Sequence, residues 1–352
     1  MNITIIRHSI RNRGGDRLVL DYVSYLVQKK HKVTYWTNCV ATDFPIEPDV
    51  QIKQIPFPGV LGTVIFTLVK KFETDILLLD LIVMAFFASF RNKEKILYLA
   101  QGYDVSYHKS VVSKRFIQFC YSFILHDRQI QTIAVSKGLK EQLEKFKPKK
   151  LSIISNGVNL KKYYRVSDSV YLKAKSTPFV ILLFTRKEHG KGLDIGKKAL
   201  AALKEMRPAA DWEVWAIGMD KLECPGLAVK NHGFLKNDDD MRNILSAADI
   251  YLVPSRSEGL SLLLLQALAC QCVIVTSTAS YIIENEVNGL LSPVEDWKSL
   301  AVNLNRVMED PPLREKLKKN SKILAEKYSL VSSCEQFEKT LIAFNDETHN
   351  QN

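Results

Sequence analysis

The 352-residue chain lacks the short signatures that would name its chemistry directly. None of its six cysteines (Cys39, Cys120, Cys224, Cys270, Cys272, Cys334) stands in Cys-x-x-Cys spacing, and no histidine pair lies near them at ligand spacing, which argues against a zinc module. No Gly-x-Gly-x-x-Gly follows a strand-like run, which disfavours a dehydrogenase. No Gly-x-x-x-x-Gly-Lys-[Ser/Thr] occurs either, which disfavours P-loop hydrolysis. The N-terminus MNITIIRHSI has no signal-peptide layout. The most apolar window, 76–90, is too short to span a bilayer and Asp80 interrupts it. No repeat of 20–50 residues is visible. Compositional bias is missing as well: 46% hydrophobic and 25% charged residues exclude disordered and fibrous classes. A cytoplasmic, non-integral protein is expected, with Cys270 and Cys272 as core thiols of a reducing compartment.

What the chain does have is positive charge and alternation. Its net charge of +11 is uneven: residues 1–165 carry 26 basic and 13 acidic side chains, and residues 166–352 carry 23 and 25. Such asymmetry suggests two units with different partners. Continuous Val/Ile/Leu runs of strand length stand at 3–6, 33–37, 76–79, 96–99, 133–135 and 151–154. A second set stands at 179–184, 212–217, 227–231, 250–253, 273–276 and 290–291. Amphipathic helix-like segments at 17–30, 109–124, 137–145, 193–206, 239–247, 262–269 and 297–308 lie between them, and 313–328 and 331–344 follow. Buried parallel strands alternating with helices predict an α/β protein of two doubly wound, Rossmann-like domains facing a central cleft. The domain limits read as 1–165 and 170–330, with a linker at 161–178 and helix 331–345 packing back on the first domain.

Three turns have the make-up of anion sites. Arg13-Gly14-Gly15-Asp16-Arg17 is read as directly following the first strand, either as an anion site or as a tight βα turn. Arg186 and Lys191-Gly192 follow the strand at 179–184 and could clamp a diphosphate. Pro254-Ser255-Arg256-Ser257-Glu258-Gly259-Leu260 follows the strand at 250–253; an acidic side chain there can accept sugar hydroxyls, and the amides from Gly259 onward can meet phosphate oxygens. Asp238-Asp239-Asp240 precedes a helix, so the run reads as helix capping and not as a metal pair. His8, His108, His126, His189 and His232 are scattered; His108 and Asp104 follow a strand end in the basic half. The segment 109–124 interleaves Lys109, Lys114 and Arg115 with Phe116, Phe119, Tyr121 and Phe123. It is either an interfacial amphipathic helix or a helix packed on the sheet with its cations in water.

In order along the chain these segments resemble the retaining glycosyltransferases of family 4, which have the GT-B fold. The resemblance is carried by Gly14-Gly15-Asp16-Arg17, Lys30-His31-Lys32-Val33, Val135-Ser136 and Ser155-Asn156-Gly157-Val158-Asn159. It continues through Arg186, Lys191-Gly192, His232-Gly233-Phe234, Ala248-Asp249, Pro254-Ser255, Glu258-Gly259 and Asn288-Gly289-Leu290-Leu291. It implies a metal-independent transferase with an NDP-sugar as donor and no other cofactor, and a glycan or lipid-linked acceptor in polysaccharide or glycolipid assembly. Arg186, Lys191 and Glu258 would be its catalytic residues. Gly14, Gly15, Phe234, Ser257, Gly259, Leu260, Ser261 and Gln266 would line the donor site, with Gln101, Asp104 and His108 on the acceptor side. No metal ligand is implied. Five positions depart from the family pattern: Gln266 replaces the second glutamate of E-x7-E, Gln101 replaces a frequent histidine, and Leu263, Gln271 and Cys272 stand where prolines and a glycine are usual. Gln266 also supports the alternative of a catalytically silent sugar-nucleotide-binding homologue that partners another transferase. The basic half suits an anionic membrane surface, possible at the inner face of the cell membrane, and no nucleic-acid motif appears.

Overall fold

The structure, a computed structural model, describes residues 1–108, 110–208 and 211–349. The chain divides into two compact units, one of residues 1–156 with 331–352 and one of 157–330.

The first unit opens with β1 (Asn2–Ile6), β2 (Ser9–Arg11), α1 (Gly14–Gln28), β3 (Lys32–Thr37), β4 (Cys39–Ala41), β5 (Gln51–Gln54) and α2 (Gly59–Val69). It continues through β6 (Ile76–Leu79), α3 (Ile82–Asn92), β7 (Ile96–Ala100), α4 (Val111–Tyr121), β8 (Gln131–Ala134), α5 (Lys137–Glu144) and β9 (Leu151–Ile153). Seven strands form a parallel sheet in the order β5-β3-β1-β6-β7-β8-β9. Central β6 (ILLL) and β7 (ILYLA) are buried along their whole length, as parallel strands covered on both faces must be. The turn at 13–17 does not follow β1 directly: β2 intervenes and pairs in parallel with β4 as a separate two-stranded ribbon. Three further elements were not anticipated, namely β5, α2 and α3. The helix expected at 109–124 begins at Val111, with Lys109 outside the described residues, and from Ser122 to Asp127 it loosens into a wider turn.

The second unit contains α6 (Val170–Lys173), β10 (Phe179–Thr185), α7 (Leu193–Met206), β11 (Trp212–Gly218), β12 (Val229–Gly233), α8 (Asp238–Ala247), β13 (Ile250–Val253) and α9 (Leu262–Ala269). After these come β14 (Val273–Ser277), β15 (Leu290–Ser292), α10 (Trp297–Glu309) and α11 (Pro311–Lys327). Its six-stranded parallel sheet runs β12-β11-β10-β13-β14-β15. Side-chain caps start the later helices of this unit: Asn237 for α8, Ser261 for α9, Asp296 for α10 and Asp310 for α11. Cys270 and Cys272 are buried, and burial pushes the Cys270 thiol up to about 12.

The chain re-enters the first unit as α12 (Leu330–His349). Phe337 of α12 stacks on Tyr22 at 4.2 Å between ring centroids, and the Tyr22 hydroxyl bonds Ser333 Oγ at 2.8 Å. His31 Nε2 lies 2.9 Å from Glu338.

The expected linker at 161–178 is part of the second unit. Lys162 Nζ and the Tyr163 hydroxyl reach the Asp238 carboxylate at 2.8 and 2.7 Å, and the Val166 amide donates to Ser246 Oγ at 3.1 Å. Polar composition there reflects specific pairing and not a tether. Both passages between units lie beside each other at one place. The Val158 amide donates to Tyr328 O at 2.8 Å, and a side chain at Gly157 would meet Leu330 Cα at 2.4 Å, so glycine is required. With these limits the charge asymmetry shrinks. The first unit carries 24 basic and 17 acidic residues and the second 25 and 21, because α12 brings acidic residues back to the first.

Candidate functional site

In the second sheet the chain winds outward from β10 in one direction and from β13 in the other. The crevice at the carboxyl ends of these two neighbours is therefore the topological switch point, where doubly wound folds bind ligands. The loop after β10 carries Arg186 and Lys191, and the loop after β13 carries Ser257, Glu258, Gly259 and Leu260. The two loops are in direct contact. Gly192 sits in the left-handed region (φ +63°), and a Cβ there would stand 1.9 Å from Pro254 O. The amides of Arg256 and Ser257 both donate to Gly190 O, at 2.8 and 3.3 Å. Across this seam Lys191 Nζ lies 2.9 Å from each carboxylate oxygen of Glu258. Ser255 Oγ donates to Glu258 Oε1 at 2.7 Å and fixes the carboxylate from the other side.

The remaining candidates of this unit are placed as follows. Arg186 is ion-paired with Glu188 of its own loop at 2.8 Å, not with Glu258. Leu260 is buried, and Ser261 accepts from the Leu264 amide at 3.3 Å to start α9, which carries half-buried Gln266 in its second turn. Phe234 follows β12 at the sheet edge, with β11 between its strand and β10. The Asp238–Asp240 run opens α8. Its cap is the Asn237 side chain, which accepts from the Asp240 amide at 2.7 Å, while Asp238 pairs with Lys162 and Asp239 with Arg242.

Arg256 was missed as a site residue. Its guanidinium is bidentate to Asp194 of α7 at 2.8 and 2.7 Å, also reaches Glu295, and donates to His189 O at 2.9 Å. Hydrogen bonding to Arg256 lowers the Asp194 carboxyl to about 2. Asp220 supports the same loop from its far end by accepting from the Lys187 amide at 2.8 Å. Arg256 thus latches the Lys191 loop to the Glu258 loop. Arg256→Met is expected to cost the second unit about 1 kcal/mol, a drop of about 2–4 °C in its melting temperature by calorimetry. An unchanged melting temperature would show that the latch carries no load.

The first unit has an equivalent switch point between β1 and β6. Arg7, just after β1, places Nε 2.8 Å from Asp80, just after β6, and its Nη1 bonds Asp16 of α1. Gln101 Nε2 donates to the same Asp80 carboxylate at 2.8 Å. Gly15 belongs to this cluster, since a Cβ there would stand 2.6 Å from Gln101 Oε1 and 3.6 Å from Arg7. Gly14 faces open space. Asp104 accepts from the Ile82 amide at 3.1 Å, and burial, helped by Asp80, pushes its carboxyl up to about 7. His108 lies half-buried just beyond, its amide bonded to Val105 O at 3.3 Å. Of the proposed acceptor-side residues, Gln101 is anchored on the Asp80 carboxylate and Asp104 on the Ile82 amide. Arg7 and Asp80 each follow a strand in the sequence, but the sheet order is what brings the two together.

Residues 165–323 match the family described as Glycosyl transferases group 1. The chain is 25% identical over 241 residues to the N,N'-diacetylbacillosaminyl-diphospho-undecaprenol alpha-1,3-N-acetylgalactosaminyltransferase of Campylobacter jejuni, covering 64% of this chain and 61% of that protein. It is 28% identical over 221 residues to an uncharacterized glycosyltransferase of Methanocaldococcus jannaschii, covering 56% of each. These matches thus span about three fifths of the relatives' length. Among solved structures, sucrose-phosphate synthase of Thermosynechococcus elongatus superposes with a TM-score of 0.80 at 17% identity, covering 96% of this chain and 98% of that one. Anabaena HepE in complex with UDP and glucose gives 0.76 at 19% identity, covering 97% and 100%. The fold is GT-B: two Rossmann-like α/β units with parallel sheets.

Proposed function

We propose that the chain is a glycosyltransferase of family 4 that moves a sugar, with retention, from a nucleoside diphosphate donor to a glycan or lipid-linked acceptor. The observation that carries this reading is the Lys191–Glu258 contact at the switch point of the unit that holds the family match. A diphosphate at the carboxyl ends of β10 and β13 would meet the Lys191 ammonium and, once it leaves Glu188, the Arg186 guanidinium. Charge stabilisation of a departing phosphate is worth about 3–4 kcal/mol per well-placed donor. Glu258, held by Ser255 and Lys191, would accept donor-sugar hydroxyls, and the Gly259 and Leu260 amides would face phosphate oxygens. The departing phosphate would take the acceptor hydroxyl's proton on the face it leaves, so no protein nucleophile is assigned. The names of the Campylobacter relative above and of a second one, a 4-alpha-N-acetylgalactosaminyltransferase, both include diphospho-undecaprenol and support an acceptor carried on a lipid diphosphate.

Gln266 favours a second reading, a silent nucleotide-binding homologue. An amide oxygen still accepts a hydrogen bond from a ribose hydroxyl, but without charge. A thermal-shift panel of UDP-, GDP-, dTDP- and ADP-sugars separates the two when combined with a measurement of nucleotide release. One donor class is expected to raise the melting temperature in proportion to RT ln(1+[L]/Kd) and to be turned over. Stabilisation without release in the presence of varied acceptors would establish the silent reading, and no stabilisation by any donor would overturn both.

A further inference from the structure

We propose that the donor's nucleoside is a 2′-deoxyribonucleoside and that Gln266 is the residue that admits it. The inference rests on the donor-site reading and deepens it by naming the pentose. α9 begins directly beyond the loop that carries Glu258, Gly259 and Leu260. From Leu264 onward every residue of α9 is buried except Gln266. Leu262 and Leu263 are half-buried, and spacings of four and three residues put both beside Gln266 on one side of the helix. The open part of α9 is therefore a short strip at its N-terminal end. Along the chain Glu258 would meet the transferred sugar and the Gly259 and Leu260 amides the phosphates, so the strip that comes next is the surface on which the pentose would lie.

That strip has few acceptors. α9 (LLLLQALA) contains no charged residue and a single polar one. Leu262 and Leu263 offer hydrocarbon only. Ser261 Oγ already accepts from the Leu264 amide at 3.3 Å to cap the helix. What remains is the side-chain amide of Gln266, which has no hydrogen-bond partner among the described residues. A carboxylate accepts from both hydroxyls of a ribose cis-diol at once, whereas a side-chain amide has one acceptor oxygen. One acceptor beside two leucines matches a pentose with one hydroxyl, at C3′, and a bare methylene at C2′. A site built to bond a hydroxyl rejects the analogue that lacks it by orders of magnitude, and a neutral, largely apolar one does not. Glutamine in place of glutamate then marks a change of donor and not the loss of the donor site.

The test is isothermal titration of the full chain with nucleotide pairs that differ only at C2′: UDP, GDP and ADP, each against its 2′-deoxy form. For the base that binds, the deoxy form is expected to bind the unaltered chain as tightly as the ribo form, within about threefold, or more tightly. Gln266→Glu restores a charged acceptor and is expected to shift the ratio towards the ribo form at least about tenfold. Gln266→Met removes the acceptor and is expected to weaken both forms by a similar factor, about threefold to tenfold, which keeps the test open if the glutamate variant fails to fold. A ribo form bound more than about threefold tighter by the unaltered chain would overturn the proposal. So would a ratio that Gln266→Glu leaves unchanged, or affinities that Gln266→Met leaves unchanged, since Gln266 would then not touch the pentose. Absence of binding by every pair would instead overturn the donor-site reading, and this inference with it.

Discussion

Replacing Lys191 with alanine is expected to weaken nucleoside diphosphate binding at least about tenfold and to slow sugar transfer by about 10²–10³. Loss of one charged hydrogen bond accounts for about 1.5–3 kcal/mol of binding. The local geometry adds to that. Glu258 has a side chain only 8% exposed, and Lys191 and Ser255 are its polar neighbours. Without the ammonium, a nearly buried carboxylate would face an arriving diphosphate with the same sign of charge. The second variant follows from this: adding Glu258→Gln to Lys191→Ala should recover part of the nucleotide affinity by removing the repulsion, while transfer stays low because the leaving group still lacks its cation. Isothermal titration with the nucleotide that stabilises the protein, together with single-turnover rates, measures both. Unchanged affinity in Lys191→Ala would remove the clamp, and with it the main support for the donor site.

The elements whose bounds were readable from the residues are those with a buried stripe and a clear start, a left-handed glycine at Gly192 for α7 and the Ser261 cap for α9. α7 and α9 begin and end where the periodicity places them, and β13 is a bare apolar run. α2 escaped notice because its outward side is apolar too, so the contrast between faces that signals a helix is absent. β5 (QIKQ) is exposed along its length at the sheet edge and has no hydrophobic pattern at all. At the loops after β10 and β13, Lys191 and Glu258 were visible because each follows a strand within a few residues. The Arg256–Asp194 latch joins residues 62 apart in the chain and exists only in three dimensions. Asp80 was seen, but as an interruption of an apolar run. Its partner Arg7 is 73 residues away, and only sheet order makes them neighbours.

That pair supports the second large effect. Arg7→Met is expected to destabilise the first unit by about 3–5 kcal/mol, which lowers its melting temperature by about 10 °C. Arg7 stands between two carboxylates whose side chains are 0% and 3% exposed, those of Asp16 and Asp80. Burial opposes its charge, but Asp80, Tyr35 and Asp16 outweigh that and hold its pKa above the ordinary arginine value. Burial pushes the Asp16 and Asp80 carboxyls up, and Arg7 is the principal force holding them down. Methionine fills much of the arginine stem's volume, so the loss is of charge and not of packing. Both carboxylates would then move further up. A carboxyl raised in the folded state keeps a proton that the unfolded chain has released. Its cost to stability therefore grows as pH rises from the unfolded value towards the folded one, and it is relieved below that range. Melting of Arg7→Met should accordingly fall more steeply than that of the unaltered chain as pH rises above the unfolded carboxyl value of about 4. Adding Asp80→Asn should return part of the loss, because the Asn oxygen still accepts from Gln101 without carrying a charge. A melting temperature at pH 7.5 within a degree or two of the unaltered chain would mean that water, and not Arg7, solvates these carboxylates. Gly15 and Gln101 would then stand on an open crevice instead of a built one.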